Sequence, residues 1–206
     1  MTELYDITPP VTPSLAVWPG DTAPTREVVL EIARGDTVTL STLRATVHLG
    51  AHADAPSHYA VDGETIDRMS LGRYVGPCRV LEARTEPRTR LAPDVLPRSL
   101  GADRVLFRTH TFRDPNTFDE SFAALSPPLI EALHERGVHL VGIDTPSVDL
   151  FDSKDLPSHK ACLARDIAIL EGLMLENVPE GVYELIALPL RLVGFDASPV
   201  RAILRR

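Results

Sequence analysis

Residues 37–58 read TVTLSTLRATVHLGAHADAPSH, an apolar and β-branched segment that runs directly into a group of histidines. β-Branched residues and leucines dominate residues 37–47 and also residues 27–32, and Gly35 and Asp36 lie between the two segments. This composition is typical of strands, and a Gly-Asp pair is typical of the turn between them. The sequence therefore predicts a β-hairpin whose second strand leads into the histidines.

The remainder of the chain predicts more strands than helices. Short apolar runs bounded by turn residues indicate further strands at residues 80–83, 105–108, 138–143, 167–170 and 182–188. Strands that outnumber and interleave with helices are typical of an α/β domain with a mixed sheet.

Two helices are predicted in the second half of the chain. The clearer one covers residues 126–136, where Ser126 can cap the first turn and Gly137 can end the last. Leu129, Ile130 and Leu133 share one face of this helix, which should be buried. A second helix is expected to begin near Ser158.

The organisation of the chain indicates one domain spanning residues 1–206, without an internal repeat or a linker. Five prolines occur in the first 24 residues, so an extended, irregular N-terminal arm is expected over about residues 8–25.

Composition excludes several classes of protein. The net charge of −8 argues against a nucleic-acid partner, which requires clustered lysine and arginine. The N-terminus lacks the basic start and apolar core of a signal peptide, and no apolar run approaches the roughly 20 residues that cross a bilayer. The two cysteines, Cys78 and Cys162, form no disulfide framework and suit a reducing compartment. We expect a cytoplasmic protein without membrane association.

Three of the seven histidines fall within the segment His48-Leu-Gly-Ala-His52-Ala-Asp54-Ala-Pro-Ser-His58. On an extended strand His48, His52 and Asp54 would project to the same side. Gly50 would lie between them and leave room for an ion or a substrate. Imidazole and carboxylate are common ligands of zinc and similar ions, so this segment predicts a metal site rather than exposed histidines.

The same segment resembles the signature His-x-Gly-Thr-His-x-Asp-x-Pro-x-His of the cyclase-like metal hydrolases, with Ala51 in place of the threonine. Further segments resemble the bacterial kynurenine formamidase (arylformamidase) branch of that family. They are Val17-Trp18-Pro19-Gly20-Asp21, the stretch GIDTPSVD at 142–149, Ser158-His159-Lys160, Ile169-Leu170-Glu171-Gly172-Leu173, Leu188-Pro189-Leu190 and the stretch DASPV at 196–200.

The resemblance implies a swivelling β/β/α domain with a mixed sheet and two zinc ions per subunit. By position, His48 and His52 would bind one zinc, His159 and Glu171 would bind the second, and Asp54 would bridge them. These ligand types also suit manganese, iron and cobalt.

The resemblance also implies an activity. The chain would be a zinc-dependent amidohydrolase that converts N-formyl-L-kynurenine to L-kynurenine and formate by a metal-activated water, in tryptophan degradation. His58 would donate and accept protons, and Trp18 would contact the aromatic part of the substrate. Members of this branch are homodimers, so a homodimer is expected.

Two other readings stay open at this stage. A hydrolase of another cyclic or aryl amide, of the isatin type, would have a similar metal site, and a non-catalytic metal-binding protein is the alternative from a different class. A serine hydrolase is disfavoured because no Gly-x-Ser-x-Gly segment occurs. Asp144 and Asp149 are expected to stabilise a turn after the strand at 138–143.

Overall fold

The computed structural model describes residues 3–206. Its helices and strands follow the chain as β1 (Leu4–Asp6), β2 (Thr25–Leu30), β3 (Leu40–Arg44), β4 (His52–Asp54), β5 (Val75–Glu82), β6 (Arg90–Leu91), β7 (Arg104–Arg108), β8 (Ala124–Leu125), α1 (Pro127–His134), β9 (Leu140–Ile143), α2 (Pro157–Ala164), β10 (Ala168–Glu171), β11 (Gly181–Ile186), β12 (Ala197–Pro199) and β13 (Ile203–Arg205).

A nine-stranded mixed sheet dominates the fold, in the order β1-β13-β11-β5-β7-β9-β10-β4-β12. The four central strands β5, β7, β9 and β10 run parallel, and antiparallel strands extend the sheet on both sides. Every residue of β7, β9 and β10 is buried, as expected for parallel strands covered on both faces. The predicted α/β class with a mixed sheet is confirmed.

Alternate side chains of the central strands enter two separate hydrophobic clusters. On β10, Leu170 joins the cluster that includes Leu185 and Leu204, whereas Ile169 joins the cluster that contains the buried face of α1. Glu171 alternates with Leu170 and therefore faces the side of the sheet on which the helices lie. This alternation determines the face on which the candidate site is built.

The first helix follows the prediction closely. The Ser126 hydroxyl accepts a hydrogen bond from the amide of Leu129 at 3.2 Å, and Leu129, Ile130 and Leu133 are fully buried. Gly137 has a φ of +80°, the left-handed conformation that ends helices.

The predicted hairpin is present, but its second strand is shorter than expected. β2 and β3 form an antiparallel pair apart from the main sheet, and β3 covers residues 40–44 rather than 37–47. The extended conformation ends because the chain bends before β4, where Gly50 has a φ of +56°. All residues of β3 are exposed, so the hairpin projects from the body of the domain.

Residues 7–24, between β1 and β2, contain neither helix nor strand. Within residues 3–206, no helix has the length and apolar character needed to cross a membrane. Cys78 and Cys162 are both buried and form no disulfide with each other.

Candidate metal centre

The short strand β4 places two predicted ligands next to a third. β4 pairs with β10 in a register that sets His52 directly opposite Glu171, and Asp54 follows on the same face of β4. The prediction that His48 belongs to the same extended strand is wrong, because residues 47–50 bend before β4 begins. The chain nevertheless returns the His48 ring to the carboxylate of Asp54.

The expected role of Gly50 also needs correction. A Cβ atom at this position would lie 2.9 Å from Cγ of Pro9 and 3.3 Å from Cδ2 of Leu15. The space beside Gly50 is therefore filled by the N-terminal arm. Glycine is required here for the left-handed bend and for close packing, rather than to leave room for an ion.

Asp54 lies at the centre of the cluster. Its side chain is only 1% exposed, and its Oδ1 atom lies 3.1 Å from Nδ1 of His48 and 3.3 Å from Nε2 of His52. Its Oδ2 atom lies 3.4 Å from Nε2 of His159. Within the described part of the chain, neither oxygen of Asp54 has a hydrogen-bond partner of acceptable geometry.

Glu171 closes the cluster from the neighbouring strand. Its Oε2 atom lies 3.3 Å from Nε2 of His52, and its Oε1 atom lies 3.5 Å from Nε2 of His159. The amide of Val148 donates to Oε1 at 2.7 Å and fixes the orientation of the carboxylate. The structure thus brings together the five residues predicted as ligands: His48, His52, Asp54, His159 and Glu171.

Two groups of potential ligand atoms can be distinguished, each with its atoms within 4.8 Å of one another, and Asp54 belongs to both. One group contains His52, Asp54 and Glu171, and the other contains His48, Asp54 and His58. This grouping differs from the pairing of His48 with His52 that the resemblance implies.

The residues fit a divalent cation. A carboxylate that is buried without hydrogen bonds carries a large desolvation cost, which a bound cation would offset. Imidazole nitrogens and carboxylate oxygens are the donors expected for zinc and for related transition metals. The two orphaned oxygens of Asp54, surrounded by histidine nitrogens, are therefore the strongest indication of a metal site.

The charges of the cluster are strongly coupled. Burial raises the pKa of Asp54, but its contacts with His159, His48 and His52 outweigh that effect and hold the pKa well below its usual value. Burial lowers the pKa of His52, but the Asp54 and Glu171 carboxylates raise it to about 10. Without a metal, protons therefore balance the buried carboxylates, and a divalent cation would take over that role.

Two of the imidazole rings are oriented by buried acceptors. Nδ1 of His52 lies 2.8 Å from the Gly50 carbonyl oxygen, and Nδ1 of His159 lies 2.8 Å from Oδ2 of Asp149. Because a carbonyl or carboxylate oxygen accepts the ring hydrogen, Nε2 of each histidine is left to face the cluster.

The role expected for Asp149 as a turn residue was incomplete. The fully buried Asp149 carboxylate accepts hydrogen bonds from the amides of Ser158 and His159 at the start of α2. It also accepts one from Nη1 of Arg90 at 2.6 Å. Asp149 therefore orients a proposed ligand as well as the helix that carries it. Asp144 acts differently from the prediction, because its carboxylate accepts hydrogen bonds from the amides of Thr109 and His110, in the loop after the neighbouring strand β7 and not in its own turn.

The sequence reasoning missed Asp196 as a site residue. Its Oδ2 atom lies 3.0 Å from Nε2 of His48 and 3.4 Å from Nδ1 of His58. Asp196 lies just before β12, which pairs with β4, so this contact depends on the sheet and on no local spacing. Its only sequence signal was the resemblance of the segment at 196–200.

A cavity of about 460 Å³ opens next to the cluster. Trp18 and Phe118 line it, with ring centroids 5.5 Å apart, and Phe151 lies behind Trp18 at 5.1 Å. His58 also lines the cavity. Trp18 therefore lies in an aromatic wall that faces the predicted ligands, within reach of a bound molecule.

Comparison with known proteins places this arrangement in a family. The family model named Cyclase matches residues 5–150, which include the segment from His48 to His58. The chain belongs to the Cyclase family. His159 and Glu171 lie beyond the matched residues, but similar solved structures extend over the whole chain.

Two of these structures are 30% identical to the chain, cover 100% of it and are themselves covered to 98%. One is described as a potential metal-dependent hydrolase with cyclase activity (TM-score 0.85), and the other as a predicted metal-dependent hydrolase from Bacillus stearothermophilus (TM-score 0.83). An isatin hydrolase bound to the product analogue thioisatinate shares the fold, with 22% identity, a TM-score of 0.78, and coverage of 100% of this chain and 92% of its own. The family is thus one of metal-dependent hydrolases.

Proposed function

We propose that the chain hydrolyses N-formyl-L-kynurenine to L-kynurenine and formate at a binuclear zinc centre. The observation that supports this most strongly is the buried carboxylate of Asp54, which lacks hydrogen-bond partners in the described residues and faces several imidazole nitrogens beside an aromatic cavity. The proposed ligands are His48, His52, Asp54, His159 and Glu171. Because Oδ1 of Asp54 lies close to His48 and His52 while Oδ2 lies close to His159, Asp54 would be suited to bridge two ions.

Hydrolysis of a formamide requires a strong nucleophile and stabilisation of the negative charge that develops on the formyl oxygen. A bound divalent ion supplies Lewis acidity, which polarises the carbonyl group and makes water acidic near neutral pH. The protein residues support this chemistry, because the buried rings of His52 and His159 are held in fixed orientations by their hydrogen-bond acceptors.

His58 is suited to transfer protons. It lies on the cavity next to His48, with the two ring centroids 4.3 Å apart, and its side chain is 36% exposed, whereas the ligand side chains of β4 are buried. An imidazole can accept a proton from water and return it to the departing aryl amine, which leaves poorly unless protonated.

The aromatic wall is suited to the ring of the substrate. Trp18 packs edge-on against Phe118 and lies at an interplanar angle of 33° to Phe151, so the indole is held in place before a ligand binds. An immobilised aromatic surface contacts an anthraniloyl-type ring with little loss of side-chain freedom.

A second candidate substrate class is favoured by the charges of the cavity. Apart from histidines, the charged side chains that line it are acidic across residues 3–206, and Asp21 and Asp196 are among them. Asp21 could bind the α-ammonium group of N-formyl-L-kynurenine, but the lining of one protomer offers its carboxylate no lysine or arginine. An uncharged cyclic amide of the isatin type needs no such partner, and an isatin hydrolase shares this fold.

The test is hydrolysis of N-formyl-L-kynurenine and of isatin, side by side, by the zinc-loaded protein and by a chelated sample. The proposal predicts turnover of N-formyl-L-kynurenine that chelation abolishes. Turnover of isatin alone would support a metal-dependent hydrolase but would contradict N-formyl-L-kynurenine as its substrate. Turnover of neither compound by the folded, metal-loaded protein would contradict the proposal.

We also propose that the chain is a homodimer. The hairpin of β2 and β3 exposes Val29, Leu40 and Leu43 by 51%, 51% and 64%, and a lone two-stranded hairpin is marginally stable. A second copy of the chain would cover these side chains. Sedimentation should show a dimer at micromolar concentration and a shift to monomer for Leu43→Glu, and a monomeric wild type would contradict the proposal.

A further inference from the structure

The four histidines at the site differ in what holds their rings. His52 and His159 each have a dedicated buried acceptor, the Gly50 carbonyl and the Asp149 carboxylate. The remaining two rings share one partner. Oδ2 of Asp196 lies 3.0 Å from Nε2 of His48 and 3.4 Å from Nδ1 of His58.

We propose that Asp196 is a positioning residue that fixes the ring hydrogens of His48 and His58 in opposite tautomers through a single carboxylate oxygen. The inference rests on the proposed metal-dependent hydrolysis, since it assigns these two rings their parts in that site.

The tautomers follow from what each atom can do. An ionised carboxylate only accepts hydrogen bonds, and a neutral imidazole carries one hydrogen, so each ring must turn its N–H towards Asp196. His48 then carries its hydrogen on Nε2, and its Nδ1 lone pair faces Asp54, 3.1 Å away, where a metal would bind. His58 carries its hydrogen on Nδ1, and its Nε2 lone pair is free to accept a proton.

The location of Asp196 supports this role. Among the described residues, Asp196 is the one acidic group within 4.0 Å of a ring nitrogen of His58. Its backbone carbonyl accepts the amide of Ala55, so the loop before β12 is attached to the chain between β4 and His58. The 3.4 Å contact with His58 is at ion-pair distance and does not have hydrogen-bond geometry, and the inference requires it to tighten when the site is loaded, as catalytic hydrogen bonds commonly do.

The substitution Asp196→Ala removes the shared acceptor, and Asp196→Glu keeps the charge on a longer side chain. Asp62 is an exposed aspartate four residues from His58, so Asp62→Ala is a matched control for loss of one negative charge near the site. Thermal unfolding of each zinc-loaded variant verifies that it is folded.

The decisive readout is long-range ¹H–¹⁵N correlation of histidine-labelled, zinc-loaded protein, which reports the nitrogen that carries each ring hydrogen. The wild type and Asp62→Ala should show hydrogen on Nε2 of His48 and on Nδ1 of His58. In Asp196→Ala the Nδ1–H form of His58 should be depleted, and Asp196→Glu should restore it. A wild-type His58 with its hydrogen on Nε2, or a His58 tautomer that is unchanged in Asp196→Ala, would overturn the inference.

Kinetics on whichever amide the enzyme hydrolyses provide a second readout. For Asp196→Ala, kcat should fall about 10–100-fold with a smaller change in KM, because the proton-transfer group is misoriented while the aromatic wall is intact. The tautomers are measured without substrate. A failure to hydrolyse N-formyl-L-kynurenine would therefore contradict the proposed function. It would not affect the role assigned to Asp196, which the spectra test independently.

Discussion

Replacement of Asp149 by asparagine should weaken metal binding although Asp149 is not itself a proposed ligand. Asp149 orients the ring of His159 through a hydrogen bond of 2.8 Å and also accepts from two amides and from Arg90. Both of its oxygens receive donors, and the amide nitrogen of an asparagine would have to face one of them.

The size of the effect follows from these contacts. Loss of the acceptor that orients a ligating histidine typically weakens metal affinity about 10–100-fold, which corresponds to about 1.4–2.7 kcal/mol. The free energy of unfolding of the metal-free protein should also fall, by about 3 kcal/mol, because a buried charged pair with Arg90 is broken and a donor is left unsatisfied.

Competition with a chromophoric chelator measures the zinc affinity, and urea denaturation measures the free energy of unfolding. Asp152→Asn is the matched control, because its 63% exposed carboxylate lies in the same loop and, within residues 3–206, forms its one ion pair with the exposed Arg88. Zinc affinity in Asp149→Asn equal to that of Asp152→Asn and the wild type would refute the assignment of Asp149 as the residue that orients His159.

Further predictions concern the cavity, the proton donor, the charge balance and the backbone. Trp18→Ala should raise KM for aromatic amides about tenfold or more with a smaller effect on kcat, because the aromatic wall is lost; steady-state kinetics check this, and an unchanged KM would place the ring elsewhere. His58→Ala should keep its full zinc content by mass spectrometry while kcat falls about 10²–10⁴-fold, and loss of zinc would make His58 a ligand instead. The pKa of His52 is raised to about 10 in the metal-free protein, so at neutral pH zinc must displace its proton; apparent affinity should therefore increase as pH rises from 6 towards 9, and calorimetry in buffers of different ionisation enthalpy should detect proton release. Gly172→Ala should destabilise the protein by at least about 1–2 kcal/mol in urea denaturation, because Gly172 has a φ of +66° and a Cβ atom there would lie 2.2 Å from the carbonyl oxygen of Gly50.

Much of the fold could be predicted because local chemistry and tertiary structure agree. The cap at Ser126 and the glycine after α1 lie where the sequence indicated. The strands β7, β9 and β10 lie within two residues of their predicted bounds, whereas β5 begins five residues before the predicted start. The exception was the segment before β4. Its β-branched composition predicts a strand up to residue 47, but the chain bends at the left-handed Gly50, which packs against Pro9. Local strand propensity cannot predict that contact, because Pro9 is distant in the sequence.

The site was predictable in its ligands and unpredictable in its supporting groups. The spacing from His48 to Asp54 indicates a metal site even though the extended geometry assumed for it was wrong, because two imidazoles and a carboxylate remain close after the bend. Asp149 and Asp196 reach the histidines only through the fold, across the start of α2 and across the pairing of β4 with β12. Periodicity and spacing cannot reveal partners of this kind.

The most direct test of the metal centre is the zinc content of the purified protein after saturation with zinc and dialysis, measured by mass spectrometry for the wild type and for Asp54→Ala. Asp54 contacts proposed ligands of both ions through its two oxygens, so the bridging assignment predicts about two zinc ions per protomer in the wild type and loss of both in the variant. A wild type without bound zinc, or an Asp54→Ala protein that keeps both ions, would contradict it.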